Sequence, residues 1–381
     1  MNVAVVGGGP AGLYFARLAK RRHPADNVTV YEQNPAGATY GFGVALGESA
    51  RGAIQAVDPD VHRRLEAAMI FNDRQNIHLN GADVLLRYPS ASGAIARIEL
   101  LAILQAACRE VDVRVEHDVR IEALDARIEH ADVIVAADGA NSWLRGRFAG
   151  EFGANVRVLT NYLAWFGLGR PLSPNGLCFR SVDGGHFVGH YYAYSDTMST
   201  FVTECDAATW RRFGMEQMTD EERRAFMHDV FAPELGGEPL IDNNSAWRNL
   251  RIYGNERWWH GNVVLIGDAL QTAHPSIGSG TRLAMEDAQA LVDALAAHRD
   301  DRTAAFEHFV RERKPRRDAF ALAAERSFEW YETIATVTAQ PILDFTYNFL
   351  TRTGRIDDAR LRTYAPEFYE DYQRYRLSRS A

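Results

Sequence analysis

The N-terminal residues 2–32 contain a short apolar run, a glycine-rich turn, a helical stretch and a second apolar run. The apolar runs cover residues 2–6 and 28–32, and apolar residues recur at helical spacing between 13 and 22. A strand, a tight turn, a helix and a second strand within about thirty residues form a βαβ unit, which implies a parallel sheet covered by helices. The chain is therefore predicted to have an α/β fold.

The turn between the two apolar runs has the spacing G-x-G-x-x-G, which lets the backbone approach a pyrophosphate at the positive end of a helix. Its residues are Gly7, Gly9, Pro10, Ala11 and Gly12. Glu32 lies twenty residues after Gly12, where a carboxylate can accept hydrogen bonds from an adenosine ribose. A carboxylate there also disfavours the 2′-phosphate of NADP, so the unit indicates FAD or NAD.

Two later apolar runs each end in a turn with an acidic residue, Asp138-Gly139 in the first and Gly267-Asp268 in the second. Asp268 is placed to accept hydrogen bonds from the ribityl hydroxyls of a flavin. The segment 274–280 then leads into a helix, whose N-terminus offers amide groups and positive potential to the pyrimidine end of a flavin. These two turns therefore favour FAD.

Residues 155–254 have a different pattern, in which alternating segments at 187–194 and 198–205 predict an antiparallel hairpin. We therefore predict a Rossmann-like nucleotide-binding domain with a parallel sheet, into which an antiparallel-sheet substrate domain is inserted. The predicted boundaries are 1–70, 95–154 and 255–330 for the nucleotide-binding domain, 71–94 and 155–254 for the substrate-binding domain, and 331–381 for a C-terminal helical or irregular segment.

Composition excludes several other classes of protein. The net charge of −8 argues against nucleic-acid binding. The three cysteines, Cys108, Cys178 and Cys205, have neither C-x-x-C nor zinc-like spacing, so no metal site is predicted and a reducing cytoplasm fits. No export signal is recognisable and no apolar segment is long enough to cross a bilayer, so stable membrane insertion is not expected.

The order of the three motifs, from residue 7 to residue 280, resembles the single-component (class A) FAD-dependent aromatic hydroxylases of the para-hydroxybenzoate hydroxylase type. Arg97 lies where that family has an arginine in contact with FAD. Within the family, the sequence is most similar to the salicylyl-CoA 5-hydroxylase and 2-aminobenzoyl-CoA monooxygenase group. The similar segments are 40–44, 273–281, 283–288 and 350–356. The hairpin segment 194–201 is also similar to the tryptophan-derivative hydroxylase of violacein biosynthesis.

The resemblance implies FAD as the cofactor, NADH or NADPH as a transient reductant, and hydroxylation of an aromatic ring by O2 through a C4a-hydroperoxyflavin. It implies FAD binding by Gly7, Gly9, Pro10, Ala11, Gly12, Glu32, Gln33, Arg97, Asp138, Gly139, Asp268, Gly278 and Gly280. Pro275 is expected to pack beside the flavin, and His274 is its neighbour. His190 and Tyr192 share a strand face with Tyr194 and are candidates for substrate contact. A structural role stays open for the two histidines and for Tyr192.

Two substrate chemistries stay open at this point. The segments 273–281 and 350–356 favour a hydroxy- or aminobenzoyl ring carried as a CoA thioester, whereas the hairpin permits a tryptophan-derived or indole compound. A two-component FAD epoxidase that depends on a separate reductase is a further alternative. A flavin-dependent halogenase is not expected, because Lys20 and Lys314 are the chain's only lysines and neither is placed beside a substrate. A monomer or a homodimer is expected.

The chain has one departure from the family and one charged segment. The family's usual Gly-Asp-Ala-Ala-His is replaced by Gly-Asp-Ala-Leu-Gln at 267–271, so no role of a histidine there is implied. The arginine-rich run 311–317 could attract the phosphates of a carrier, but a solvated helix face is the preferred interpretation.

Overall fold

The computed structural model describes residues 1–39 and 41–380. Tyr40, in the similar segment 40–44, and Ala381, at the end of the predicted C-terminal segment, lie outside the described residues. The strands are β1 (Asn2–Val6), β2 (Asn27–Tyr31), β3 (Gly43–Leu46), β4 (Ile70–Leu79), β5 (Ala82–Ala96), β6 (Arg114–Glu116), β7 (Val133–Ala136), β8 (Ala154–Leu168), β9 (Asn175–Val182), β10 (Gly185–Ala193), β11 (Ser199–Cys205), β12 (Leu240–Ile241), β13 (Arg248–Asn255), β14 (Trp259–His260) and β15 (Val263–Leu265).

Helices surround these strands, and short 3₁₀ turns span Pro275–Ile277 and Ile334–Thr336. The helices are α1 (Pro10–Arg22), α2 (Glu48–Val57), α3 (Pro59–Ala67), α4 (Arg97–Arg109), α5 (Trp143–Arg147), α6 (Ala149–Phe152), α7 (Ala207–Arg212), α8 (Asp220–Val230), α9 (Ala232–Leu235), α10 (Gly267–Leu270), α11 (Gly280–Ala297), α12 (Arg302–Glu332), α13 (Ile342–Thr351), α14 (Asp358–Tyr364) and α15 (Pro366–Ser380).

The first sheet has the strand order β14-β15-β7-β1-β2-β6. Its β15, β7, β1, β2 and β6 are parallel neighbours, and only β14 pairs antiparallel. Val3 to Val6 of β1 are all buried, as expected for a central strand of a parallel sheet that is covered on both faces. The predicted α/β fold with a parallel sheet is confirmed.

The second sheet has the order β12-β8-β11-β10-β9-β4-β5-β3, and β13 also pairs with β8. Its strands are antiparallel except for β4 and β9. The predicted hairpin is formed by β10 and β11, whose register places Tyr192 opposite Thr200 and His190 opposite Val202. The expectation of an antiparallel second sheet is therefore confirmed.

A short segment before β3 joins the two sheets. β3 pairs with β5 of the second sheet, although its residues fall in the range 1–70 predicted for the nucleotide-binding domain. Close packing explains this position, since a Cβ on Gly43 would lie 2.7 Å from the Tyr194 ring and a Cβ on Gly167 would lie 2.4 Å from the Phe42 ring. The chain thus crosses to the second sheet and returns before α4.

A buried ion-pair network fixes α12 against α11. Asp287 on α11 is fully buried and accepts hydrogen bonds from Arg313 at 2.9 Å and from Arg317. Asp287 also accepts from the backbone N–H of Gly267 at 3.1 Å. The prediction of a solvated face for the run 311–317 is wrong for Arg313 and Arg317, because their spacing of four residues turns both toward Asp287.

The C-terminal segment is mainly helical and packs on the second sheet. Phe345 and Phe349 of α13 form a cluster with Leu177 and Phe179 of β9. The aromatic rings of Phe179 and Phe345 lie 4.7 Å apart in an edge-to-face arrangement. In the described part of the chain, we find no helix with the length and apolar character needed to cross a membrane.

Candidate active site

The acidic and glycine motifs lie at the carboxyl ends of four neighbouring parallel strands. Asp268 follows β15, Asp138 follows β7, Gly7 follows β1 and Glu32 follows β2. These strands are adjacent in the sheet, so the four residues meet at one edge. Ligands of open α/β sheets bind at this edge. A cleft of about 480 Å³ opens there. Among the residues that line it are Gly7, Gly9, Glu32, Gln33, Arg97, Asp138 and Gly139.

The glycine turn has both close contacts and open space. A Cβ on Gly7 would lie 2.3 Å from the carbonyl oxygen of Ala137, and one on Gly12 would lie 2.0 Å from that of Gly7. A Cβ on Gly9 would meet no atom within 4 Å. Gly7 and Gly12 are therefore required by the fold, whereas Gly9 leaves space beside the cleft.

The N-terminus of α1 adjoins the cleft at Gly9. Gly9 is the N-cap and provides no side-chain hydrogen bond, and Pro10 occupies the first turn. The first amide groups of a helix lack partners within the helix and carry partial positive charge. Pro10 and Ala11 are buried, so any contact with a cofactor would come from the backbone here.

Glu32 is oriented by the turn itself. Its Oε2 accepts a hydrogen bond from the N–H of Gly8 at 2.6 Å, and its Oε1 accepts from the N–H of Asn34 at 2.8 Å. Oε1 also accepts from Nδ2 of Asn34 at 2.6 Å, so both of its lone pairs are used, whereas Oε2 can accept one further hydrogen bond. Glu32 can therefore still accept from a ribose, and the exposed Gln33 lies beside it in the cleft.

Asp138 has one satisfied and one unsatisfied oxygen. Its Oδ2 accepts from the N–H of Trp143 at 2.8 Å, while its buried Oδ1 has no hydrogen-bond partner among the described residues. Burial raises the pKa of Asp138. The adjacent Gly139 has φ +78° and open space where a side chain would lie. An unsatisfied buried acceptor is unfavourable, and a ligand donor at this point would satisfy it.

Arg97, the first residue of α4, places a positive charge between Asp268 and Glu32. The pKa of Arg97 is lowered by burial, and the charges of Asp268 and Glu32 oppose that effect. The Nε of Arg97 donates to Oγ1 of Thr39 at 3.2 Å. Asp268 is exposed at its surface, and its desolvation raises its pKa while Arg317 and Arg97 lower it.

The loop 274–280 leads from the second acidic turn to α11. Ser279 is the N-cap of α11 and makes no side-chain hydrogen bond to the helix. Gly278 has φ +54°, and a Cβ on either Gly278 or Gly280 would meet nothing within 4 Å. Pro275 is half-buried and begins the 3₁₀ turn. The loop therefore offers free amide groups next to open space.

His274 is held inside the protein by this loop. Its side chain is 2% exposed, and its Nδ1 lies 2.8 Å from the hydroxyl of Ser276. Burial, with a contribution from Arg352, lowers the pKa of His274 to about 3. The hydroxyl of Ser276 also lies 2.8 Å from that of Ser327 on α12. These contacts give His274 a structural role; a contact with substrate stays a prediction.

Arg352 is a functional candidate that the sequence reasoning missed. It donates to the carbonyl of Ser276 at 2.8 Å and to the hydroxyl of Ser327 at 3.0 Å, and it stacks on Phe349 with 4.0 Å to the ring centroid. Among the residues that the structure describes, no carboxylate pairs with it. Its only sequence signal was its place in the similar segment 350–356.

His190 and Tyr192 lie on one face of β10, with their ring centroids 5.7 Å apart. His190 has no hydrogen bond to any described residue, and burial, aided by Arg352, lowers its pKa to about 4. The Tyr192 hydroxyl donates to the carbonyl of Gly43 at 2.9 Å, and burial raises its pKa to about 12. Both residues are only partly buried.

A separate polar cluster lies on the opposite face of the second sheet. His78, Cys178 and Glu234 have ligand-type atoms within 4.8 Å of one another. His78 already contacts Asp83 and Tyr191, and Glu234 pairs with Arg180. The adjacent guanidinium disfavours a cation, and the absence of a metal from this protein stays a prediction.

These features define the class of protein as a flavoprotein, because they fit FAD at three points. The glycine turn with an uncapped helix suits a pyrophosphate, Glu32 suits a ribose, and the free end of α11 suits an anionic flavin ring. The unsatisfied Oδ1 of Asp138 also indicates a missing donor. The comparisons with known proteins agree with this class.

Residues 104–323 match the family described as an FAD binding domain. The chain is 35% identical over 367 residues to salicyloyl-CoA 5-hydroxylase of Streptomyces sp, covering 93% of this chain and 70% of that protein. It is 36% identical over 364 residues to 3-hydroxy-4-methyl-anthranilyl-(aryl-carrier protein) 5-monooxygenase of Streptosporangium sibiricum, covering 95% and 97%. It is 30% identical over 387 residues to protodeoxyviolaceinate monooxygenase of Chromobacterium violaceum, covering 100% of both.

A solved structure of 2-methyl-3-hydroxypyridine-5-carboxylic acid oxygenase has the same fold, with a TM-score of 0.68 and 17% identity over 95% of each chain. The chain belongs to the class A FAD-dependent aromatic hydroxylases. It is therefore an FAD-dependent monooxygenase that hydroxylates an aromatic ring.

Proposed function

We propose that the protein hydroxylates a hydroxy- or aminobenzoyl ring that is carried as a CoA thioester, with NADH or NADPH as the reductant. The names of two relatives contain salicyloyl-CoA and a carrier-bound anthranilyl group. The likeness to these relatives extends over 93% and 95% of this chain. An activated benzoyl compound is the chemistry that both names share.

The observation that carries this proposal is a surface groove of about 520 Å³ that reaches Arg352. The groove runs beside α13 and is lined by Gln340, Asp344, Tyr347, Asn348, Thr351, Arg352 and Tyr372. Arg352 also contacts the carbonyl of Ser276 in the loop 274–280. A substrate with a long carrier arm needs a groove between the surface and the ring site, whereas a compact amino acid does not.

Bound FAD supplies the redox chemistry, since it accepts electrons from the nicotinamide coenzyme and passes them to O2. Arg352 is a half-buried cation that can stabilise negative charge on a ring hydroxyl or on the thioester oxygen. His190 is neutral above about pH 5 and can exchange a hydrogen bond with the ring substituent. Tyr192 is fixed by Gly43 and forms a rigid wall. Exclusion of water by this wall favours oxygen transfer to the ring.

The experiment is a coupled assay on the purified protein. NADH or NADPH oxidation is recorded with a panel of free aromatic acids, aryl-CoA thioesters and indoles, and the products are examined for a gain of one oxygen atom. We expect only benzoyl-CoA compounds with a hydroxyl or amino substituent to accelerate coenzyme oxidation and to yield product. Hydroxylation of a free acid or an indole, without any aryl-CoA turnover, would overturn the proposal.

Two alternatives are separated by the same assay. Protodeoxyviolaceinate monooxygenase is similar over the whole chain, which favours an indole-derived substrate as the second candidate. A strict requirement for an added flavin reductase would instead support the two-component epoxidase. We also propose a cytoplasmic location, which the three buried free cysteines support, and a monomeric or homodimeric state, which sedimentation measures.

A further inference from the structure

Four arginines gather beside the loop 274–280 and are here called the arginine cluster: Arg282, Arg326, Arg355 and Arg360. The guanidinium groups of Arg282 and Arg355 both approach the ring of Phe320, at 5.9 and 6.0 Å from its centroid. Arg360 donates to the backbone carbonyl of Arg355 at 3.4 Å. The cluster therefore combines side chains from α11, α12, α14 and the turn after α13.

Arg326 reaches the cluster because residue 354 is a glycine. A Cβ on Gly354 would lie 2.1 Å from Nη1 of Arg326, and Gly354 has φ +69°. Both the left-handed backbone and the close approach of the guanidinium are compatible with glycine and not with a larger residue. Gly354 thus allows the Arg326 guanidinium to lie beside Arg355.

The nearby carboxylates pair wholly or partly with groups outside the arginine cluster. Glu286 pairs with Arg282 at 3.3 Å but is shared with Arg313 at 3.1 Å. Glu325 and Glu329, on either side of Arg326 in α12, pair with Arg157 at 2.8 and 3.5 Å. Asp357 caps α14 through the backbone N–H of Arg360 at 2.8 Å.

Within residues 1–39 and 41–380, Arg326 and Arg355 have no ion-pair partner. Partial burial, followed by the like charges of Arg282 and Arg360, lowers the pKa of Arg355. Like charges held close together destabilise a folded protein unless an opposite charge compensates them. The fold supplies only part of that compensation, so an external anion would stabilise the cluster.

The position of the cluster relates it to the proposed active site. Phe320, which lies under Arg282 and Arg355, belongs to a small apolar cluster with Leu283 and the partly buried Ile277. Ile277 is part of the loop 274–280, and Arg282 lies in the first turn of the helix that this loop begins. An anion bound by the cluster would therefore lie close to the loop 274–280 and next to the end of α13.

We propose that the arginine cluster binds the phosphate groups of an adenine nucleotide that serves the active site, an inference that rests on the proposed function. Two reactants carry such phosphates: the CoA portion of the thioester and the nicotinamide coenzyme. Guanidinium groups bind phosphate oxygens through paired hydrogen bonds, and several of them on one surface suit a pyrophosphate or a phosphate ester.

The test measures binding without turnover, so that it stays valid if the proposed reaction is wrong. Coenzyme A, NADH and NADPH are each titrated anaerobically into the protein whose bound FAD has first been reduced with dithionite, so that no hydride transfer accompanies binding, and dissociation constants are determined by calorimetry at low and at physiological ionic strength. The variant Arg326→Gln/Arg355→Gln removes two exposed charges that have no ion-pair partner among the described residues. The control variant Arg22→Gln/Arg109→Gln removes two other exposed arginines, at the ends of α1 and α4.

We expect the dissociation constant of at least one nucleotide to rise about tenfold in the cluster variant, and to change little in the control, because charge-assisted hydrogen bonds to phosphate are lost. The difference should shrink at physiological salt, which screens exposed charges over about 8 Å. Weaker binding of coenzyme A alone would show that the cluster binds the CoA portion of the substrate. Weaker binding of NADH or NADPH alone would show that it binds the reductant.

Three unchanged dissociation constants, or a loss that is equal in the control, would overturn the proposal. So would the absence of measurable binding of all three nucleotides to the unmodified protein. The FAD content and the thermal unfolding temperature of each variant show whether it has folded. Failure of the substrate panel alone would contradict the proposed reaction and leave this binding result intact.

Discussion

Arg352 donates a hydrogen bond to the carbonyl oxygen of Ser276, which lies 76 residues earlier in the chain, at 2.8 Å. The same side chain donates to the hydroxyl of Ser327, which in turn contacts the hydroxyl of Ser276. The C-terminal segment therefore fixes the loop that is expected to face the flavin. Three predictions test this and other parts of the site, and a fourth tests a buried carboxylate of β11.

Replacing Arg352 by Met should loosen the loop 274–280 and uncouple the enzyme. Hydrogen bonds from a charged donor contribute about 1.5–3 kcal/mol each, and this variant removes the contacts to Ser276 and Ser327. We expect coenzyme oxidation to continue while the fraction that yields hydroxylated product falls and hydrogen peroxide rises. Both quantities are measured per NAD(P)H consumed. The exposed Arg362→Met is the control, and unchanged coupling in Arg352→Met would contradict the positioning role.

Gly9→Ala and Gly12→Ala should have opposite consequences. A methyl group at residue 9 enters open space in the protein without FAD, but at residue 12 it meets a backbone oxygen at 2.0 Å. We expect Gly9→Ala to fold with nearly unchanged thermal stability and to lose FAD affinity. We expect Gly12→Ala to be destabilised by about 1–3 kcal/mol or more, as in overpacked cores. Thermal unfolding of the apoprotein and FAD titration distinguish the two, and equal FAD affinity in Gly9→Ala would count against the site.

Asp268→Ala should weaken FAD binding by removing an acceptor at the carboxyl end of β15. The loss of one charge-assisted hydrogen bond corresponds to about 1.5–3 kcal/mol, or roughly tenfold or more in affinity. FAD release is followed by the recovery of flavin fluorescence. Asp229→Ala, at an exposed carboxylate on α8, serves as the control. Equal affinity in the two variants would remove Asp268 from the set of FAD-binding residues.

Glu204→Gln should change how stability depends on pH. Burial raises the pKa of Glu204 to about 7, and only the hydrogen bond from Asn161 at 2.7 Å opposes this. The pKa of Glu204 is higher in the folded protein than in the unfolded chain. The stability contributed by the protonated side chain is therefore fully present below about pH 4.5 and is lost as the pH rises through about 7. Over this pH range we expect the free energy of unfolding of the unmodified protein to fall by about 3 kcal/mol relative to that of Glu204→Gln.

Urea unfolding at pH 5, 6, 7 and 8 checks this difference. The exposed Glu216→Gln is the matched control, which should follow the unmodified protein at every pH. Parallel pH curves for the unmodified protein and Glu204→Gln would show that Glu204 is not protonated in the folded state.

The sequence predicted those parts of the fold that depend on local pattern. The apolar runs before Gly7 and Asp138 became β1 and β7, and the alternating segments became the hairpin β10–β11. Turn residues mark strand ends in a sequence, and the predicted parallel sheet is consistent with Glu32 and Asp138 lying at one sheet edge, but the order of the strands was not predicted.

Contacts between distant segments were not predictable in this way. Arg352 reaches Ser276 across 76 residues, and Arg317 reaches Asp287 across 30. Neither pair produces a periodic pattern, and a run of arginines in a helix usually predicts a solvated face. The charge of Asp287 decided the orientation of Arg313 and Arg317, because a buried carboxylate requires compensation.

The parallel pairing of β15 with β7 has a consequence for the order in which the FAD site is assembled during protein synthesis. The βαβ unit that ends with β2 emerges early, but β15 and the loop 274–280 are added only after roughly 230 more residues, which takes about ten to fifty seconds at ordinary rates of synthesis. During that interval the nascent chain contains the glycine turn and Glu32 but not Asp268 or the loop 274–280. The residues expected to hold FAD are therefore all present only after residue 280, when about three quarters of the chain has been made.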